Sequence, residues 1–335
     1  MPNVTVIVPC YNEQDTINLL LEAICNQTYR LDELEVVIAD GMSSDRTRAV
    51  ISEFQKANPR LGLRVVNNPQ RNIPAGLNCA IAAAHGKWIV RLDAHSKPEP
   101  DYVERSITAL EQGLGDNVGG VWVIQPLGNS AQARAIAAVA SHPLAVGDAQ
   151  YRIATRPQLT DTVPFGAYAR SLIDRIGGYD EKLLTNEDYE LNTRIRQSGG
   201  RIWLDPAIRT VYFARPNLGA LWSQYWRYGY WKARMLQRYP HSLRWRQAIP
   251  PLFVASLLIG AILAVFWQPA RYILVGVLSI YLLILLGAGV QIAWKKKNPA
   301  LLPFVPLAIA VMHLSWGSAF LWSMIKVPET EKVSG

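Results

Sequence analysis

Cysteine is scarce and unpatterned: among 335 residues there are three, Cys10, Cys25 and Cys79. Their odd number, without CxxC or paired metal-ligand spacing, argues against a cysteine metal centre or dithiol motif and for a reducing compartment. A dinucleotide fingerprint is missing as well. Where G-x-G-x-x-G would follow the first strand, the chain reads Pro9-Cys10-Tyr11-Asn12-Glu13-Gln14, which disfavours a nicotinamide enzyme. The same stretch lacks the basic loop that a nucleotidyltransferase needs to activate phosphate. No basic segment followed by a long apolar run opens the chain, so no secretory signal peptide is expected. Internal repeats and low-complexity segments are absent. Acidic residues are outnumbered, with 34 Lys and Arg against 26 Asp and Glu for a formal net charge of +8.

Apolar and aromatic residues are plentiful. Half of the chain is hydrophobic, enough for a sizeable core and a second region. Many of the 11 tryptophans and 14 tyrosines lie with the Lys and Arg excess between Arg215 and Arg246, a membrane-surface pattern that makes membrane lipids expected partners. Because these cations gather beside apolar segments rather than along a soluble face, nucleic acid is disfavoured as a partner. From Pro250 onward come three long apolar segments, about residues 250–267, 272–294 and 301–325. Each is long enough to cross a hydrocarbon layer of about 30 Å; buried core helices are the alternative. A short connection makes the first two an antiparallel hairpin, and Lys295-Lys296-Lys297 puts the loop after the second in the cytoplasm. The third carries Pro303, Pro306, His313 and Ser315, and is expected to kink or to lie partly at the interface.

The first two hundred residues alternate strand and helix. Strands are predicted at 4–8, 35–39, 63–66 and 88–92, with helices between them whose inner faces are Ile17, Leu20, Leu21 and Ile24, then Val50, Ile51 and Phe54, then Leu77, Ile81 and Ala84. This order implies a parallel sheet with right-handed crossovers. Further on, a helix with Val103, Ile107 and Leu110 precedes a strand at 118–124. An alanine-rich stretch at 131–140 follows, and 142–162 has too little periodicity for anything but a long loop over a crevice. A strand at 165–168, a short helix at 172–176, and a helix carrying Tyr189, Leu191 and Ile195 complete this part.

Polar residues fall where ligands collect in such sheets, beyond the carboxyl ends of the strands. Tyr11 and Glu13 follow the first strand, Asp40 ends the second, and Asp93 and His95 follow the fourth. An acid and an imidazole one residue apart can share a divalent cation while leaving positions for a diphosphate; oxygen donors suit Mg2+ or Mn2+, and the imidazole favours Mn2+. Asp40 can accept hydrogen bonds from a base or ribose, or form the turn before Gly41. Asp188, near a helix N-terminus beside Glu187, is a candidate general base or a helix cap. Glu187 is a candidate for positioning an acceptor. In Trp222-Ser223-Gln224-Tyr225-Trp226-Arg227-Tyr228-Gly229, Arg227 can bind phosphate with Gln224 one turn away on the same face, or the helix can be an interfacial anchor.

Val8-Pro9-Cys10-Tyr11-Asn12-Glu13, Asp40-Gly41-Met42-Ser43-Ser44-Asp45, Asp93-Ala94-His95, Glu187-Asp188 and Gln224-Tyr225-Trp226-Arg227-Tyr228 together resemble, in order and approximate spacing over residues 1–235, the family 2 glycosyltransferases. With Asp161-Thr162-Val163-Pro164-Phe165-Gly166-Ala167-Tyr168 and the apolar tail, the likeness is greatest to membrane-anchored enzymes of the succinoglycan-biosynthesis type. The resemblance implies an α/β GT-A fold, a Rossmann-like mixed and mostly parallel sheet flanked by helices, plus C-terminal transmembrane helices. It implies that Pro9, Tyr11, Glu13, Asp40 and Asp93 hold a uridine-type nucleotide, Asp93 and His95 match the D-x-D metal site, and Asp188 is the catalytic base. Gln224, Arg227 and Tyr228 would match Q-x-x-R-W and, with Glu187, bind acceptor or diphosphate. Two departures stand out: His95 replaces an acid of D-x-D, and Tyr228 replaces the tryptophan of Q-x-x-R-W. No transmembrane segment precedes the catalytic part, which favours single addition over processive synthesis.

The expectation is an inverting, non-processive, metal-dependent transferase. It would move a sugar, a hexose by preference, from a nucleotide-sugar, UDP-linked by preference, to a polyprenyl-diphosphate-linked or other membrane-associated glycan in exopolysaccharide or cell-surface glycan synthesis. The alternative is a non-catalytic membrane protein that binds nucleotide or serves as a scaffold. The chain would divide into a cytoplasmic catalytic domain at 1–215, basic aromatic interfacial helices at 216–248, a membrane domain of two to three spans at 249–326 and a tail at 327–335. The location expected is the bacterial inner membrane, with the catalytic domain facing the cytoplasm.

Overall fold

The computed structural model describes residues 2–326; the tail expected at 327–335 lies outside them. Contacts divide the chain into two compact units, one comprising the residues up to Val123 together with Gln150–Tyr212, the other Ile124–Ala149 together with the chain from Phe213. The excursion Ile124–Ala149 therefore leaves what the sequence suggests as one continuous stretch.

The first unit starts with strand β1 (Val4–Cys10), helix α1 (Ile17–Cys25), β2 (Leu34–Asp40), α2 (Thr47–Ala57), β3 (Gly62–Asn67), α3 (Ile73–Ala83) and β4 (Trp88–Arg91). β1 lies between β2 and β4, parallel to both, and β2 also pairs in parallel with β3. The expected parallel crossovers are thus present. β-branched residues fill β1 and β2, and both faces are covered, as parallel sheets require. Val4, Val6 and Val8 pack with Ile17, Leu20, Ile24 and Ile107 on one face. Ile7 turns the other way, toward Leu77, Ile81, Leu191 and Ile195. Asn72 starts α3 by accepting a hydrogen bond from the Ala75 N–H at 2.9 Å, with Pro74 in the first turn.

The chain continues with β5 (Lys97–Pro98), α4 (Tyr102–Glu111), β6 (Asn117–Pro126), α5 (Ala131–Val139), α6 (Pro143–Val146), α7 (Gln150–Ile153), β7 (Gln158–Leu159), β8 (Ala167–Ala169), α8 (Arg170–Ile176), α9 (Glu187–Gln197) and β9 (Ile202–Ala214). Among the described residues the strands form one mixed sheet in the order β3-β2-β1-β4-β8-β6-β9-β5, with β7 also on β9. β8 runs antiparallel to both β4 and β6. The stretch expected as one long loop at 142–162 instead contains α6, α7 and β7, each too short to generate a readable period. Strand β9 was not anticipated. Asp205-Pro206 interrupts its alternation, yet proline is tolerated there because Pro206 lies between Trp203 and Leu204, which pair with β7, and Thr210 and Val211, which pair with β5.

The second unit adds α10 (Leu218–Arg238), α11 (Trp245–Phe266), α12 (Gln268–Lys295) and α13 (Phe304–Ile325). Among the described residues three helical stretches are long and apolar enough to cross a membrane, and α11 and α12 leave large apolar side chains such as Leu252, Phe266, Ile273 and Leu283 exposed. The third segment, expected to kink or to lie partly at the interface, forms one continuous helix, α13, packed against α10, α11 and α12. Pro303 caps α13 and Pro306 sits in its first turn, where the N–H it lacks has no helical partner to lose. Its polar residues are satisfied by neighbours: His313 contacts the Tyr281 hydroxyl at 3.1 Å and the Leu144 carbonyl at 2.9 Å, and Ser315 donates to the Trp222 carbonyl at 2.6 Å. Gly229 and Gly317 allow close helix approach, because a Cβ would stand 2.3 Å from the Trp316 carbonyl oxygen and 2.5 Å from that of Pro250 respectively.

Candidate active site

In the first unit the loops after β1 and β2 are laced together at the carboxyl edge of the sheet. The Asn12 N–H donates to Ser43 Oγ at 2.9 Å, and the Ser44 N–H returns a bond to Asn12 Oδ1 at 2.9 Å. Gln14 accepts from the Arg46 N–H at 3.0 Å, and the Glu13 N–H donates to Thr47 Oγ1 at 2.8 Å. Asn12 and Met42 both adopt left-handed backbone angles, φ 54 and φ 61. This double turn leaves the Tyr11 ring 46% exposed, beside Gly41, whose absent Cβ would press on Tyr11 Cδ2 at 3.2 Å. Pro9 lies in the paired part of β1, opposite Ala39. Cys10 is buried, and burial together with the carboxylates of Glu13, Asp40 and Asp45 pushes its thiol well above the usual range, so it is inert.

Asp40 is fully buried. Its carboxylate accepts from the Ser43 N–H and hydroxyl and from Arg48 Nε, and Arg48 Nη2 also reaches Asn67. Asp40 therefore organises the Gly41–Asp45 turn, the turn-forming role the sequence also allowed.

Glu13 joins the β1 loop to the segment after β4. Its Oε1 meets His95 Nδ1 at 2.9 Å and its Oε2 accepts from the Thr16 hydroxyl. The His95 side chain is 50% exposed. Two residues earlier, Asp93 Oδ1 accepts from Arg91 Nη2 at 3.1 Å. Each half of the expected metal pair thus has its own partner, and among the described residues no group of three or more His, Cys, Asp or Glu is arranged around a metal position.

Arg91 ends β4 with its side chain 2% exposed, inside the apolar run Trp88-Ile89-Val90-Arg91-Leu92. The fork meets three carboxylates. Nη2 donates to Asp93 and, at 2.8 Å, to Glu187 Oε1, while Nη1 donates to Asp188 Oδ1. Arg91 Nε is buried without a partner. Motif and spacing alone assign Arg91 no role, although a charged residue inside a buried strand is a signal in itself, since such groups are kept only when paired. Glu187 is buried against Arg91 rather than open to an acceptor.

Asp188 sits in the first turn of α9, where the helix dipole favours a carboxylate. Asn186 ahead of it has φ 70. Asp188 Oδ2 accepts from the Phe165 N–H at 3.2 Å, and its side chain is 21% exposed. Burial, reinforced by Glu187 and Asp93 and opposed by Arg91, pushes its pKa up to about 7. Phe165 and Gly166 present that N–H from consecutive left-handed residues, φ 63 and φ 88. The loop is held by Asn192, which donates to Thr162 Oγ1 at 2.9 Å and to the Val163 carbonyl at 3.1 Å, and by the Tyr189 hydroxyl on Asp161 at 2.9 Å.

In the second unit, Gln224 and Tyr228 meet on α10, the Gln224 amide donating to the Tyr228 hydroxyl at 3.0 Å. Arg227 is exposed whereas Gln224 is buried. That bond joins residues four apart, and Arg227, three residues after Gln224 on the same helix, stands at the more exposed position.

Comparison with known proteins bears on this arrangement. The family model described as glycosyl transferase family 2 matches residues 5–177, which spans β1 to α8. The chain is 31% identical over 318 residues to the succinoglycan biosynthesis protein ExoA of Rhizobium meliloti, covering 94% of this chain and 93% of that protein. It is 24% identical over 335 residues to the dolichyl N-acetyl-alpha-D-glucosaminyl phosphate 3-beta-D-2,3-diacetamido-2,3-dideoxy-beta-D-glucuronosyltransferase of Methanococcus voltae, covering 98% and 99%. In fold it is similar to a mannosyltransferase of Pyrobaculum calidifontis solved with GDP-mannose and Mn2+, with a TM-score of 0.62 and 24% identity over 93% of this chain and 87% of that one. The mixed sheet with helices on both faces is the expected GT-A fold. By family model and by a relative alike over nearly its whole length, the chain belongs to glycosyl transferase family 2.

Proposed function

We propose that this glycosyltransferase is inverting, non-processive and metal-dependent, and that it transfers a hexose from a UDP-sugar to a lipid-linked glycan at the cytoplasmic face of a bacterial inner membrane. The observation that carries the reading is Asp188: a carboxylate pinned by Arg91 and the Phe165 N–H, one-fifth exposed, with a pKa raised to about 7. These properties suit a general base near neutral pH. Asp188 takes the proton of an acceptor hydroxyl as that oxygen bonds to the anomeric carbon. The bond from that carbon to the diphosphate breaks on the opposite face, and a nucleoside diphosphate leaves.

Tyr11, with its exposed ring, is assigned to the base of the nucleotide. Pro9, Glu13 and Asp40 are assigned to the same nucleotide, and Asp93 to its diphosphate. The residues fit a divalent cation. Around Arg91 three carboxylates face one guanidinium, so two negative charges stay uncompensated when all are ionised. Asp93 supplies a hard oxygen donor, and the Glu13 carboxylate on His95 Nδ1 is the kind of outer partner that orients a metal-binding imidazole. Mn2+ or Mg2+ held by Asp93 and His95 would supply charge neutralisation on the leaving diphosphate. Glu187 acts through Arg91, while Gln224, Arg227 and Tyr228 of the basic aromatic helix are assigned to acceptor or phosphate binding.

The names of the Rhizobium and Methanococcus relatives, one a polysaccharide biosynthesis protein and the other a transferase to a dolichyl-phosphate-linked sugar, support glycan synthesis on a lipid carrier. Three apolar helices support placement at a membrane, with 1–215 catalytic, 216–248 interfacial and 249–326 embedded. A nucleotide-binding scaffold has less support, because Glu13, Asp40, Asp93, Glu187 and Asp188 are all present and only the second position of D-x-D, His95, departs from an acid. The test is a panel of UDP- and GDP-sugars with membrane-extracted lipid acceptor, scored by the nucleoside diphosphate released. Asp188→Asn should lower turnover by at least about 100-fold while UDP binding in Mn2+ persists; ordinary turnover in that variant refutes the base assignment.

A further inference from the structure

We infer that Arg91 is a positioning residue for transfer, one side chain that ties the acid on the metal side of the site, Asp93, to the acid on the acceptor side, Asp188. The inference rests on the reading of Asp188 as base. Its support is geometric. One guanidinium, 2% exposed at the end of β4, spends Nη2 on Asp93 at 3.1 Å and Glu187 at 2.8 Å, and Nη1 on Asp188. Asp93 and Asp188 are far apart in sequence, and these ion pairs are the contacts that bring them to a common centre. Backbone bonds hold the centre in place from outside: the Arg91 N–H donates to the Gly166 carbonyl at 2.9 Å, and the next residue, Leu92, donates to Ile7 at 3.1 Å. The Phe165 ring lies 5.8 Å from the guanidinium carbon and that of Tyr179 5.9 Å from it.

A pure scaffold explains this poorly. A buried ion pair is seldom the cheapest way to fill a core, and two extra carboxylates on one guanidinium make it costlier. A role in catalysis explains it better. Asp188 must be ionised to act, so activity is present above its pKa and lost as pH falls through it. Burial raises that pKa first, Glu187 and Asp93 raise it further, and Arg91 lowers it. The other titratable groups facing Asp188 are the phenols of Tyr102, Tyr168 and Tyr179, all buried and held neutral far above pH 7. Arg91 is thus the nearby cation that keeps the base charged and aimed.

The experiment compares the full chain in detergent with Arg91→Lys, which keeps the charge and loses the fork, and Glu187→Gln, which removes one competitor for it. Each is read for fold by thermal melting, for UDP binding in Mn2+ by calorimetry, and for kcat, KM and the pH profile with the donor selected by the panel. In Arg91→Lys the expected results are UDP affinity within about 3-fold, kcat reduced at least about 10-fold, and an acid limb displaced to higher pH, because a misaligned group near the reacting atoms can cost about 100-fold. In Glu187→Gln the acid limb should move to lower pH. Should Arg91→Lys not fold, the Glu187→Gln limb alone decides. An unmoved limb in a folded variant, or a loss confined to UDP affinity or melting temperature, overturns the inference. Asp188→Asn separates the two readings: if it is inactive while the Arg91 and Glu187 limbs stay put, the base stands and the positioning role falls; if it is active, the base assignment itself falls.

Discussion

At the scale of single residues, His95 is where this chain departs from the D-x-D pattern, and its surroundings are those expected of the metal ligand proposed for it. The imidazole is half exposed and its Nδ1 faces Glu13, which also accepts from Thr16. A carboxylate behind a histidine sets ring orientation and raises the basicity of the other nitrogen. His95→Asp should retain metal-dependent turnover, whereas His95→Ala should lose at least about 10-fold in Mn2+ affinity or activity, measured by titrating Mn2+ into chelator-treated protein. Activity in His95→Ala equal to that of the parent would remove His95 from the metal. Asp188 and Asp93 were legible as candidates because both follow recognisable boundaries, a helix start and a strand end. Arg91 was not, because a lone cation in an apolar run says nothing about which acids will reach it from nearly a hundred positions away.

At the scale of elements, the site depends on strands that approach more closely than side chains allow. A Cβ on Gly120 of β6 would stand 1.7 Å from the Ile208 carbonyl oxygen of β9, and one on Gly119 2.6 Å from Val163 Cβ. Val163 begins the turn that presents the Phe165 N–H to Asp188. Gly120→Ala should therefore destabilise the fold by at least about 2 kcal/mol and lower activity with it, checked by denaturant titration; a variant as stable as the parent would show that β6 and β9 can part without cost. β1, β2 and β4 were readable because parallel strands buried on both faces are continuous apolar runs. β9 and the short elements between 142 and 162 were not. Their pairing comes from neighbours distant in sequence, and Pro206 masks the alternation that would have marked the strand.

At the scale of the whole chain, a family 2 catalytic fold and an apolar helical region occur in one polypeptide. Residues such as Phe266 and Trp294 are about 85% and 84% exposed, which is costly in water and favourable in hydrocarbon. The hairpin of α11 and α12 sets a test of orientation. With Cys10, Cys25 and Cys79 replaced by serine, Gln268→Cys should react with a membrane-impermeant maleimide in intact cells, and Lys296→Cys only after the inner membrane is opened. The reverse pattern would place the catalytic unit on the other side.

Composition and local pattern sufficed for the order of strands and helices from β1 to β4, the edge of the sheet that carries the polar residues, the family, and three apolar helices. Each of these depends on burial periodicity or on residues adjacent along the chain. Folding in three dimensions settled which charges meet. Glu187 turned inward to Arg91, Asp40 closed on its own turn, Gln224 paired with Tyr228, and α13 became the most enclosed of the apolar helices, with 44% of its most apolar stretch buried against 11% and 17% for the others. An ionic contact depends on distance in space and on exclusion of water, and neither is written in spacing along the sequence.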